Sequence, residues 1–177
     1  MYSDNSLIPR EAIRLLALGI LATRPTAYGD LAEQVRHFTG RIVGPSLELV
    51  AQPLELLKVE GLIATEGTDA SALLSVTPAG QEELRRLLSA NVRPQVNDLN
   101  KLIIAIKVRF LKLLPQEERR IQADILTEIF ERELTRLSDL RAHQPADAGN
   151  LLDWLDLEIR LTQQRLDWFA QLHEQVA

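Results

Sequence analysis

The three histidines, His37, His143 and His173, lie far apart in the sequence with no metal-ligand spacing, and no Gly-rich phosphate loop or nucleophile motif accompanies them. The adjacent acids Glu82-Glu83 and Glu117-Glu118 fall at helix starts, where they favour the macrodipole rather than forming a catalytic dyad. The chain has no cysteine, which excludes disulfides, thiolate metal sites and a cysteine nucleophile. No enzymatic activity, cofactor or metal is expected. Arg36, His37 and Arg41, which cluster ahead of Ser46 and Gln52, fit two readings equally: a solvated helix end with cations placed near its C-terminus, or a contact surface for nucleic acid. Cations of this kind meet phosphates, and hydroxyl and amide groups meet base edges.

Any such nucleic-acid face must be local. The 177 residues hold 20 Lys and Arg against 25 Asp and Glu, a net charge of -5, so the molecule as a whole does not favour polyanions. Residues 1–90 hold eight Lys and Arg against eleven Asp and Glu, a net of -3. Lys58 is the only cation between Ser46 and Gly61, against Glu48, Glu55 and Glu60, and residues 66–71 carry two acids and no base. With 46% apolar and 25% charged residues the chain is rich enough in apolar side chains to bury a core. Residues 1–10 do not resemble a signal peptide, and no stretch reaches the roughly 18 apolar residues a membrane span needs. The cytoplasm is the expected compartment, with no membrane partner.

The elements that would position these residues follow from periodicity and punctuation. Residues 10–22 are apolar almost all round a helical wheel, with Pro9 in the first turn and Pro25 as the stop. Leu31, Ala32, Val35 and Phe38 mark a second, shorter helix closed by Gly40. Ser46 is a good N-cap for a third helix running to Gly61, which Pro53 should kink or shorten. Residues 62–65 and 72–77, separated by turn residues, predict a two-stranded hairpin. Thr77-Pro78 then opens a fourth helix.

Beyond residues 91–94 the periodicity lengthens. Val92, Val96, Leu99, Ile103, Ile106, Phe110 and Leu113 alternate at four and three, the a/d pattern of a coiled-coil-like helix. Pro115 breaks it, and a second long helix carries Ile121, Ile125, Ile129, Phe130, Leu134 and Leu137. A third carries Leu152, Leu155, Ile159, Leu166, Phe169 and Val176 on one face, with Leu151, Trp154, Leu161, Trp168 and Leu172 beside it. So wide an apolar arc needs more than one neighbour, and a second copy of the chain is the economical one. The candidate dimer contacts are Val96, Leu99, Ile103, Ile106, Phe110, Leu155, Ile159, Leu166 and Phe169. Thr162 and His173 on the same row can fix register. The aromatics Phe110, Phe130, Trp154, Trp168 and Phe169 fit a core or dimer interface, with a pocket for a small apolar effector as the sharper alternative.

In order and spacing, Leu16-Ala17-Leu18-Gly19-Ile20-Leu21, Tyr28-Gly29-Asp30-Leu31, Glu60-Gly61-Leu62-Ile63 and Ser75-Val76-Thr77-Pro78-Ala79-Gly80 resemble the PadR family of transcriptional regulators, and the head-plus-tail layout is similar to its AphA-like branch. The resemblance implies a mainly α protein: a winged helix-turn-helix head over residues 1–90 with a two-stranded wing, and a long-helix dimerisation tail over residues 91–177. It implies a homodimer whose two heads address two half-sites of promoter DNA, as two-fold symmetry suits a pseudo-palindrome. Tyr28 and Lys58 join Arg36, His37, Arg41, Ser46 and Gln52 as candidate DNA contacts. Ala51 stands where relatives tend to carry a tyrosine, and Glu55 and Leu56 where they carry bases. The alternative is a dimeric winged-helix interaction module of weak or lost DNA affinity, acting through protein partners or a small ligand in the tail.

Overall fold

The computed structural model describes residues 6–43, 51–67, 72–93, 97–145 and 148–176, with the side chains of residues 51–53 excepted. It divides into two compact units, one of Met1–Asn91 with Asn97–Leu114, the other of Val92–Val96 with Pro115–Ala177.

In the first unit, helix α1 (Pro9–Thr23) is the central beam, with nine buried residues between Ala12 and Leu21. Its start is closed by the Ile8 amide donating to the Glu11 carboxylate at 3.0 Å. A two-residue strand, β1 (Thr26–Ala27), leads directly into α2 (Tyr28–Ile42). Helix α3 is described as Ala51–Val59 and carries Pro53 at its third position. It gives way at Gly61, whose φ of 68° is one that L side chains rarely adopt. Strands β2 (Ile63–Glu66) and β3 (Leu73–Val76) form the wing, and α4 (Pro78–Ser89) follows. Thr77 joins the wing to α4: its Oγ1 donates to the Gly61 carbonyl at 2.7 Å and accepts from the Gly80 amide at 3.1 Å. The sheet is antiparallel in the order β1-β3-β2, so the expected two-stranded wing gains a third strand, Thr26 pairing with Leu74.

Helix α5 (Asp98–Phe110), continued by a 3-10 turn (Leu111–Leu113), belongs to this unit rather than to a tail beginning after residue 90. It packs on α1 and α2. Phe110 fills the notch at Gly19, where a Cβ would lie 2.5 Å from the ring. Lys107, fully buried on the same helix, donates to the carbonyls of Leu88 and of Ala90, the latter at 2.6 Å, at the C-terminal end of α4. Arg14 binds Glu60 at 2.9 Å and Glu83 at 3.2 Å, and Arg86 binds Glu83 at 2.7 Å, an ion ladder across α1, α4 and the end of α3. The paired guanidinium groups hold the Glu83 carboxyl below the usual carboxylate range.

The second unit is a helical hairpin of α6 (Gln116–Ala142) and α7 (Asn150–Val176). Three pairs fix its antiparallel register: Arg141 with Asp156 at 2.8 Å, Phe130 stacked on Phe169 at 5.0 Å, and His173 with Asp124 at 3.0 Å. Leu155, Thr162 and Phe169, spaced by seven, form the buried row of α7.

Candidate nucleic-acid interface

The positions named in the sequence separate into three groups. Tyr28, at the first turn of α2, and Lys58, near the end of α3, line one groove of about 320 Å³ with Glu55, Ile63, Thr65 and Leu74. The helix-turn-helix thus meets the wing at these side chains. Partial burial, and then a hydrogen bond to the Glu55 carboxylate and its charge, raise the Tyr28 phenol, so it stays a neutral donor. Arg36 and Arg41 stand exposed on α2, with no carboxylate partner among the described residues. His37, also exposed, lines a different groove of about 670 Å³ with Arg24, Gln34, Phe38 and Arg109. Ser46 lies outside the described residues, as does the side chain of Gln52.

The electrostatics of the first groove are mixed. Glu55 is exposed beside Lys58 and already holds the Tyr28 hydroxyl, so at this point a carboxylate competes with any phosphate for the base and the hydroxyl donor. Among the described residues, the two arginines of α2 are the exposed bases of the helix-turn-helix that face no such competitor.

Five of the nine expected dimer contacts are buried within the chain. Ile103, Ile106 and Phe110 are 1%, 0% and 4% exposed within the first unit, and Leu155 and Phe169 are 0% and 5% exposed against α6. Leu99, Ile159 and Leu166 are half-buried, and Val96 lies outside the described residues. A row spaced four and three marks the face a helix buries, but not whether the neighbour is its own chain or another. The apolar surface left open on α7 is the adjacent face, with Trp154 52%, Leu157 42%, Leu161 37% and Trp168 48% exposed. Phe130 and Phe169 stack face to face and Trp168 meets Phe169 edge-on, so these rings pack on one another. Ile121, expected on the buried stripe of α6, is 51% exposed.

Arg24, Arg109 and Lys112 are not among the candidate residues that the sequence points to. The Arg109 guanidinium sits 5.1 Å from the Phe38 ring centroid and 5.0 Å from that of Phe110. Only the flanking of an apolar row by bases at 109 and 112 hinted at this.

A three-helix core with a hairpin wing, followed by a long helical segment, defines the class: a winged helix-turn-helix protein with a helical appendage. A family model described as "Putative AphA-like transcriptional regulator" matches residues 2–173, and the chain belongs to that family. No match is found among curated proteins. Among solved structures, Bacillus subtilis PadR is similar at 16% identity, covering 97% of this chain and 98% of that one with a TM-score of 0.42. PadR in complex with operator DNA gives 16% identity, 93% and 99% coverage and a TM-score of 0.39. PadR in complex with p-coumaric acid gives 16%, 93%, 98% and 0.41.

Proposed function

We propose that this chain is a homodimeric transcriptional regulator that binds promoter DNA through its winged-helix head. The observation that carries this reading is a pair of exposed arginines on α2, Arg36 and Arg41, with no carboxylate partner among the described residues, within a winged helix of a regulator family. Phosphate contacts of this kind set affinity and register, while α3 and the wing supply base contacts. The dimer is supported by the open face of α7, where Trp154, Leu161 and Trp168 repeat at the seven-residue interval that suits a helix from a second copy.

The test is fluorescence anisotropy on a labelled duplex from upstream of the protein's own gene, beside a scrambled duplex, over a salt series. Selective binding that weakens with salt is expected. Replacing Arg36 and Arg41 by Gln should lower affinity about tenfold or more and make the salt slope shallower by about one for each phosphate no longer neutralised. Absence of binding at low salt by folded protein overturns the reading. A second reading, an interaction module with weak DNA affinity, is favoured by Glu55 on the groove and the net charge of -3 over residues 1–90. It gains if both duplexes bind equally weakly.

A further inference from the structure

Helix α3 turns Leu54 and Leu57, 1% and 0% exposed, into the core. Its other side carries Glu55, which is exposed, with Leu56 and Val59, 45% and 82% exposed. Glu55 and Val59 stand one helical turn apart and so share an outward row. Lys58 is the only cation of the helix. Leu56 and Val59 offer no hydrogen bonds, which leaves the Glu55 carboxylate as the acceptor of this face. Holding the fold together does not explain an acid there: Glu55 closes no ion pair among the described residues, and its partner is the Tyr28 hydroxyl.

The second helix of a helix-turn-helix enters the major groove while the first crosses the backbone. Tyr28 opens α2, and Glu55 and Lys58 meet it from α3 in one groove. The carboxylate therefore stands at the boundary between a position that contacts the backbone and one that reads bases. The chemistry of the base edges then discriminates, because an ionised carboxylate only accepts hydrogen bonds. Guanine presents the acceptors N7 and O6 and thymine the acceptor O4, all of which repel it. Adenine offers its N6 amine, but beside the N7 acceptor. Cytosine offers the N4 amine alone, the edge that a carboxylate fits.

We propose that Glu55 is a specificity-determining residue that reads one cytosine in each half-site by accepting from its N4 amine, while Tyr28 and Lys58 turn to the adjacent phosphate. On a duplex with another base at that place, the carboxylate keeps the Tyr28 hydroxyl and opposes the backbone. The acid thus lowers affinity for duplex in general and raises discrimination between sequences. This assignment rests on the DNA-binding reading above.

The test is selection by the full chain from a library of random duplexes, for the parent, Glu55→Gln, Glu55→Ala and Tyr28→Phe. Anisotropy on the selected and scrambled duplexes over a salt series follows. All three variants change exposed side chains, so their thermal midpoints should hold. The parent should favour cytosine at one position of each half-site by about tenfold. Glu55→Gln should move that preference to adenine, whose N6 and N7 a carboxamide meets together, and Glu55→Ala should abolish it, other positions being unchanged. Both should bind scrambled duplex about threefold or more tighter than the parent, with a salt slope steeper by about one per subunit. Tyr28→Phe should weaken every duplex alike and keep the cytosine. A cytosine preference that survives in both Glu55 variants overturns the assignment, as does a gain of affinity for every duplex with base preferences unchanged. A parent that binds selectively without a fixed cytosine overturns it too, and leaves the regulator reading standing. A parent that binds no duplex overturns both.

Discussion

The two units end their apolar surfaces differently. In the first, α1 is sealed by α2, α3, α4, α5 and β3, and the exposed large apolar side chains are scattered over Ile8, Tyr28, Leu56, Val59, Leu73 and Leu113. In the second, five of the seven exposed large apolar side chains, Leu151, Trp154, Leu157, Leu161 and Trp168, fall on α7, with Ile121 and Leu140 on α6. Each partner of a two-helix hairpin can cover only one stripe of the other, so a helix with two apolar rows keeps one in solvent. A closed core is self-sufficient, while the exposed tryptophan face is the surface on which the proposed dimer rests.

The strongest challenge to that contrast is a change on the open face. Trp154→Glu, Leu161→Glu and Trp168→Glu together should leave the hairpin helical yet shift the protein to monomer, with dimer affinity lowered about a hundredfold or more, as truncating a central aromatic anchor costs about 2 kcal/mol or more. Sedimentation velocity over a concentration series reads this, and a dimer that survives places the interface elsewhere. Ile106→Ala probes the closed core. It should cost about 3 kcal/mol in urea unfolding, the cavity term of a buried isoleucine, without changing the oligomeric state.

The smallest effect concerns Lys107. Burial pushes its ammonium down to about 7 from the ordinary lysine value of 10.5. Between those values the unfolded chain holds a proton that the folded chain has released, so stability rises with pH across that window, on the order of 1 kcal/mol per pH unit, and is flat and lowest below it. Urea unfolding at pH 6, 7.5 and 9 reads the slope. Lys107→Met should flatten it, and a slope equal in parent and variant would assign it to other groups.

Helix order and wing were legible because their punctuation is local. Pro9, Thr77-Pro78, Gly61 and Pro115 act through their own backbone geometry or nearest bonds. Strand β1 was not, because two residues carry no period. Nor was the start of α2 at Tyr28, since Ala27 caps it without a side-chain bond. The tail spacing marks the buried faces of Ile103, Ile106, Phe110, Leu155 and Phe169 but neither the neighbour they bury against nor the exposure of Leu113 and Ile121. Ile103, Ile106 and Phe110 show the reason: their spacing encodes a helix face, whereas their neighbour, α1, lies about 90 residues earlier. The pocket that Arg24 and Arg109 both line was invisible for the same cause, as only tertiary packing brings residues 85 apart to one cavity.

The notch at Gly19 also sets the order in which this protein can come into being. The ring that fills it belongs to Phe110, so a nascent chain that has delivered α1, the helix-turn-helix and the wing still lacks the piece that seals its first helix. Closure waits for the ribosome to release residues 97–114, a long-range contact of the kind that slows folding and leaves apolar surface open in the interval. A chain ended at residue 90 therefore carries a bare groove along α1 and should aggregate on expression, while one ended at 114 should remain in solution.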